Sequence, residues 1–100
     1  IEKIRTGLAL EIPDGYVGLF WDKSSIGSKG LKTFGGVIDS GYRGEVVIVL
    51  KNFSNEDYTF HKGDKVAQLL IQKVEHPDIE VVEVLSDTTR GKGGFGSTGR

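Results

Sequence analysis

The apolar residues of this chain come in short runs cut apart by glycine, and no stretch sustains a helical period for three turns. An amphipathic helix needs apolar residues three and four apart over at least that length, so the pattern points to strands. Five runs are expected as strands: Ile4 to Leu10, Tyr16 to Trp21, Gly44 to Phe53, Lys65 to Val74 and Ile79 to Leu85. They are rich in Val, Ile, Tyr and Phe and are bounded by Gly, Pro, Asn or Asp. With 15 glycines against 2 prolines, the segments Pro13-Asp14-Gly15, Ser40-Gly41 and Lys62-Gly63-Asp64 supply turn chemistry between them. The expected class is all-β, a barrel or jelly-roll-like sandwich. One short helical turn is expected within Ser24 to Gly30, capped by Ser24.

A length of 100 residues suits one domain. Hydrophobic residues at 37% and charged residues at 27%, with both signs interspersed, describe a globular chain and not a disordered one. The formal net charge of −1 argues against non-specific nucleic-acid binding, which depends on an excess of Lys and Arg to displace counterions. The absence of Cys excludes disulfides, thiolate metal sites and thiol nucleophiles. The longest apolar runs fall far short of the roughly 20 residues of a membrane helix, and Ile1 opens no signal-peptide pattern. A soluble, cytoplasmic protein without membrane partners is expected, and the start at Ile1 suggests that an N-terminal piece is absent.

Two of the expected strands do not alternate. Val46 to Leu50 and Val66 to Ile71 are apolar nearly throughout, so both of their faces should be covered, one of them by another subunit. The tail differs again. From Arg90 to Arg100 it reads RGKGGFGSTGR, too rich in glycine to order itself by burial. Its glycines can turn backbone N–H groups toward phosphate oxygens, Ser97 and Thr98 add hydroxyls, Arg90 adds a two-pronged cation, and Phe95 can stack on a planar base.

GVIDSGYRG, from Gly36 to Gly44, is the most informative string. Val37 and Ile38 precede Asp39, a turn follows, and Tyr42 and Arg43 lead into a strand, which predicts a hairpin with a carboxylate at its shoulder. On its own the string gives Asp39 a turn-capping role and Tyr42 the role of a strand aromatic. Gln68 reads as a polar residue that needs a partner if buried. His61 and His76 lack the spacing of metal ligands and read as surface residues.

Three further strings accompany this one: KSS at Lys23 to Ser25, KGDKVAQ at Lys62 to Gln68, and RGKGGFGSTG from Arg90. Each resembles a motif of the trimeric dUTP pyrophosphatases, and together they follow that family's order and spacing. TGLALEIPDGY, from Thr6 to Tyr16, is similar to the family's connecting strand. The resemblance covers nearly the whole chain, which begins beyond the family's first motif.

What the resemblance implies is specific. The fold would be a jelly-roll-like, β-clip barrel over residues 1–89, with residues 90–100 as a flexible flap. The reaction would be hydrolysis of dUTP to dUMP and pyrophosphate, with Asp39 activating the water that attacks the α-phosphorus. Backbone groups from Gly36 through Val37 and Ile38 to Tyr42 would hold uracil and reject cytosine. Tyr42 would pack on the sugar. Lys23, Ser24 and Ser25 would bind phosphates, Ser24 donating to the oxygen bridging the α- and β-phosphorus. Gln68 would reach the α-phosphate or a water of the metal ion, Arg90 would act as an arginine finger, and Phe95 would cover the base with Ser97 and Thr98 beside it.

The resemblance also implies Mg²⁺, carried by the phosphates and waters and not by protein ligands. It implies a homotrimer whose sites combine the second and fourth motifs of one subunit, the hairpin of a neighbour and the flap of the third. The chain departs from the family in three places. Lys23 stands where members usually have Arg, which removes a planar fork but keeps the charge. The link from Lys29 to Gly35 is about one residue shorter, and the first motif, with its Asp, is absent. Two rival readings remain: a dCTP deaminase of the same fold, which needs a further positioned acid, and an inactive relative that binds nucleotide as a regulatory module.

Overall fold

In the computed structural model, which describes residues 1–96 and 99, seven elements follow one another along the chain. They are β1 (Glu2–Arg5), β2 (Tyr16–Asp22), α1 (Ser24–Gly27), β3 (Leu31–Phe34), β4 (Val37–Ile38), β5 (Val47–Asn52) and β6 (Ala67–Lys73). All strand pairing is antiparallel, in two three-stranded sheets ordered β1-β5-β3 and β4-β2-β6. The expected β class is what the chain adopts. The two sheets stay open and do not close into a barrel.

The expected first strand is shorter than its apolar run, for a local reason. Gly7 takes a positive φ of 73°, open to glycine at no steric cost. Thr6 N–H donates to the Val46 carbonyl at 3.3 Å, and Val46 N–H donates to the Leu8 carbonyl at 2.7 Å. Thr6, Gly7 and Leu8 therefore oppose the single Val46, two residues more than the regular register needs, and this irregularity ends regular pairing after Arg5.

Strand β2 is the backbone of the second sheet. It pairs with β6 from Tyr16↔Lys73 to Asp22↔Ala67 and with β4 at Gly18↔Ile38 and Leu19↔Val37. Glycine at its centre is dictated by packing, because a Cβ on Gly18 would meet Ile12 Cδ1 at 2.8 Å and Ile38 Cβ at 3.3 Å. Between the sheets lies a small core of Ile12, Val17, Ile26, Leu31, Val46, Ile48 and Leu50. Ile26, Leu31 and Leu50 form its tightest cluster, with Ile4, Tyr58 and Phe60 packed against it.

Four sequence-based expectations are corrected. Ile79 to Leu85 is not a strand: the segment carries no strand pairing, and Val81 is 93% exposed. Its apolar composition lacks a partner strand within its own chain, and extended backbone without a ladder is not a sheet. Leu31–Phe34 and Val37–Ile38 are strands that the apolar runs did not mark, being short and flanked by glycines. GVIDSGYRG is not a hairpin, since β4 pairs with β2 while β5 belongs to the other sheet, so its turn crosses between sheets. Finally, the helical turn is present but Ser24 does not cap it. Lys23 holds the cap position, without a side-chain capping bond, and its carbonyl accepts the Ile26 and Gly27 N–H groups at 2.9 and 2.8 Å.

The radius of gyration is 18.6 Å, against about 13 Å for a compact chain of this length. The exposed surface of 8590 Å² exceeds by roughly 3,000 Å² that of a compact monomer of the same mass. Strand β6 belongs to this excess: Leu70 and Ile71 are exposed on its two faces, as are Ile79, Val84 and Leu85 beyond it.

Candidate functional site

Two groups of candidate residues leave opposite ends of β2. At its far end Asp22 runs into Lys23, Ser24 and Ser25, the last two exposed at the start of α1. Lys23 Nζ donates to the Ser25 hydroxyl at 2.6 Å. Gln68, opposite Trp21 in the β2–β6 register, donates from Nε2 to the Asp22 carbonyl at 2.8 Å. The structure thus brings Lys23, Ser24, Ser25 and Gln68 to one corner.

The other group is built on β4. Gly36 has a φ of 100°, and a Cβ there would lie 3.2 Å from Phe20 Cβ, so glycine is required on both counts. Its carbonyl accepts the Phe20 N–H at 2.9 Å, which seats Val37 and Ile38 beside β2. Asp39 follows, exposed, and its carbonyl accepts the Tyr42 N–H at 3.1 Å to close the turn. Arg43 braces that turn, donating from Nη1 to the Ser40 and Tyr42 carbonyls at 2.7 and 3.2 Å. Val37, Ile38, Asp39, Tyr42, Glu45 and Val47 line a concavity of about 190 Å³.

Glu45 is a second acid beside this concavity, and its oxygens are already engaged. It accepts Arg5 Nε at 3.0 Å, Arg5 Nη2 at 2.8 Å and the Gly7 N–H at 3.0 Å. The Arg5 bond first, and the Gly7 bond after it, hold its carboxyl below the usual carboxylate range. Asp39 has no such partner among the described hydrogen bonds, which leaves its carboxylate the one presented to the concavity.

The two groups do not meet within one chain. Ile38 lies opposite Gly18, and Asp39 continues toward the Tyr16 end, whereas Lys23 follows Asp22 off the other end. At about 3.3 Å per strand residue, the separation along β2 is about 20 Å. Arg90 makes its contacts locally, donating from Nε to the Gly93 carbonyl at 2.6 Å. Phe95 is fully exposed. Ser97 and Thr98 lie outside the described residues.

Sequence reasoning missed Asp22. Its Oδ1 accepts the Thr33 N–H and hydroxyl at 2.9 and 2.7 Å, and its Oδ2 meets Lys32 Nζ at 2.7 Å. The Lys32 bond is the main cause that lowers its pKa to about 2, opposed by partial burial and assisted by the two Thr33 bonds. The signal was an acid ending an apolar strand directly before KSS, but its partners lie on β3, which the apolar pattern did not reveal.

Comparison with known proteins agrees on one relationship. The family profile named dUTPase matches residues 2–99. A deoxyuridine 5′-triphosphate nucleotidohydrolase of Anaplasma marginale (strain St. Maries) is 46% identical over 99 residues, covering 96% of this chain and 67% of that protein. The mouse protein of the same name is 43% identical over 98 residues, covering 97% of this chain and 60% of its own length. The chain thus spans about two thirds or less of these relatives. Among solved structures, a mutant dUTPase of Staphylococcus bacteriophage 80alpha with dUpNHpp superposes with a TM-score of 0.84 at 32% identity, covering 99% of this chain and 77% of that one. A mutant dUTPase of phage phi11 of S. aureus, described as coordinating a structural Mg(II) ion, gives 0.73 at 30% identity over 86% of this chain and 75% of its own.

Proposed function

The chain belongs to the dUTPase family, whose reaction is the hydrolysis of dUTP to dUMP and pyrophosphate, and from that premise we propose how its own residues divide the work. Asp39 takes the proton from the water that attacks the α-phosphorus. Backbone groups of Gly36, Val37, Ile38 and the turn to Tyr42 hold the uracil edge, and the Tyr42 ring lies against the deoxyribose. At the other corner Lys23, Ser24 and Ser25 bind the phosphates, with the Ser24 hydroxyl aimed at the oxygen where leaving-group charge develops. Gln68 donates to the α-phosphate with the second Nε2 hydrogen, the first being given to the Asp22 carbonyl. Residues 90–100 form a flap, Arg90 answering the γ-phosphate and Phe95 the base, with Ser97 and Thr98 as further donors.

The observation that carries this reading is the separation of about 20 Å along β2 between Asp39 and Lys23. One chain cannot use both groups on one nucleotide. A homotrimer in which one subunit offers Asp39 and Tyr42 and its neighbour offers Lys23 to Ser25 and Gln68 removes the difficulty. The same assembly covers Leu70 and Ile71 on β6 and gives the apolar Ile79 to Leu85 segment a surface to bind.

Mg²⁺ fits the donor set in a particular way. The ion would be held by triphosphate oxygens and water, in keeping with its preference for oxygen ligands and retained hydration; among the described residues no group of three or more His, Cys, Asp or Glu gathers. The chemistry such an ion would supply is neutralisation of phosphate charge. The reading includes a cytoplasmic location.

The test is to incubate the full-length protein separately with dUTP and dCTP, with Mg²⁺ and with EDTA, and to assay pyrophosphate and ammonia. Pyrophosphate from dUTP in the Mg²⁺ arm, and no ammonia from dCTP, is the expected result. Binding of dUTP without pyrophosphate would instead support the inactive regulatory relative.

A further inference from the structure

The corner occupied by the phosphate-binding turn is held by a residue outside it. Asp22 sits where β2, β3 and β6 converge. Its carboxylate takes both Thr33 donors and Lys32 of β3, while its main-chain carbonyl takes Nε2 of Gln68 from β6. Since β2 and β3 belong to different sheets, these bonds tie the sheets together at the residue before Lys23. The next carbonyl, that of Lys23, starts α1 by accepting the Ile26 and Gly27 N–H groups. We infer that Asp22 is a positioning residue: clamped between Lys32 and Thr33 on one side and Gln68 on the other, it fixes the strand end from which Lys23, Ser24 and Ser25 project. The inference rests on the phosphate-binding role proposed for that turn.

A carboxylate next to a phosphate site is at first sight a liability, because like charge repels the ligand. Lys32, 2.7 Å from Oδ2, answers it. The charge is cancelled by β3, while the geometry it enforces is passed to Ser24 through a single peptide step. Positioning of this kind is sensitive, since displacement of a reacting group by about 1 Å can cost on the order of a hundredfold in rate. Two variants separate the two duties. Asp22→Ala removes the carboxylate arm of the clamp while keeping the main-chain carbonyl that Gln68 binds, and Lys32→Met leaves the Thr33 bonds but uncovers the charge.

The experiment uses the full-length protein and two readouts, dUTP kinetics with Mg²⁺ and amide hydrogen exchange. In Asp22→Ala, exchange at Ile26 and Gly27 is expected to quicken while the β1–β5 amides keep their protection, and kcat to fall by roughly ten- to a hundredfold. Asp22→Asn keeps an Oδ1 acceptor for Thr33 and should restore most of the kcat and the protection. Lys32→Met should raise KM severalfold with a smaller change in kcat. Unchanged exchange at Ile26 and Gly27 in Asp22→Ala, or wild-type kcat and KM there, overturns the inference. If Asp22→Ala does not fold, wild-type KM and exchange in Lys32→Met overturn it instead. Wild-type protein that leaves dUTP intact, with exchange responding as expected, would strike the proposed reaction and spare the positioning role.

Discussion

The ring of Tyr42 lies across the backbone of Gly44, so close that a Cβ on Gly44 would stand 2.6 Å from the tyrosine oxygen and 2.7 Å from Cζ. The Tyr42 hydroxyl is held there by donating to the Glu45 carbonyl at 2.7 Å. The glycine is therefore what lets the ring fold back over its own strand and wall the concavity beside Asp39. Gly44→Ala should push the ring toward solvent, at the cost of about one hydrogen bond, about 1 kcal/mol. A ring packed flat on the deoxyribose, as proposed for Tyr42, leaves no room for a ribose 2′-hydroxyl, so the ratio of kcat/KM for dUTP over UTP should fall at least tenfold. Steady-state kinetics on both nucleotides checks it, and an unchanged ratio would remove Tyr42 from sugar selection.

Asp39 is exposed, and what it gives the fold is its backbone carbonyl in the turn to Tyr42. Asp39→Asn preserves that bond and the side-chain volume. Stability should stay within about 0.5 kcal/mol of wild type, while kcat falls by roughly a hundred- to ten-thousandfold through loss of the base. Thermal unfolding and pyrophosphate release measured on the same sample separate these effects. A comparable fall in both would make Asp39 a structural residue.

The β class was legible because short apolar runs between glycine-rich turns leave no room for a helix, and four of the five expected runs overlap a strand, the first only at Ile4 and Arg5. Ile79 to Leu85 misled because its apolar pattern is real while its partner is not in the same chain. The pairing of β4 with β2 was hidden for a related reason: GVIDSGYRG has hairpin chemistry, and which sheet receives its strands depends on Gly36 packing on Phe20. At the site, the motif residues could be named from their order along the chain, yet no spacing in the sequence placed Asp39 and Lys23 at opposite ends of one strand. Asp22 was invisible for the plainest cause, partners on a strand too short and too closely flanked by glycines to be noticed.

Asp22 also gives a pH prediction. Its folded pKa is lowered to about 2, first by the Lys32 bond, so its contribution to stability is fully present above about pH 4, the unfolded value, and is lost as pH falls toward 2. With the side chain 25% exposed, that contribution is about 1–2 kcal/mol after screening by solvent. Glu45 is shifted the same way, so the measurement must be a difference. Urea midpoints at pH 7, 4 and 2.5 should show the gap between wild type and Asp22→Asn close as the pH drops. A gap that stays constant would mean that the ion pair with Lys32 is absent in solution.

The exposed apolar segment after β6 tests the assembly. Val81 is 93% exposed in the single chain, and on a monomer a change to Asp at such a position would shift stability by no more than about 0.5 kcal/mol. If the segment instead lies on a neighbouring subunit, Val81→Asp buries an unpaired charge in an apolar interface and should release monomers, as seen by sedimentation equilibrium, with loss of activity at micromolar protein. The shared site predicts a second result from the same geometry. Asp39→Asn and Arg90→Ala chains, each inactive alone, should regain part of the activity when unfolded together and refolded as a mixture, because some sites then draw an intact Asp39 and an intact Arg90 from different chains. No recovery at any mixing ratio, with trimers still formed, would mean that Asp39 and Arg90 at each site come from the same chain and would overturn the three-subunit arrangement of flap and turn.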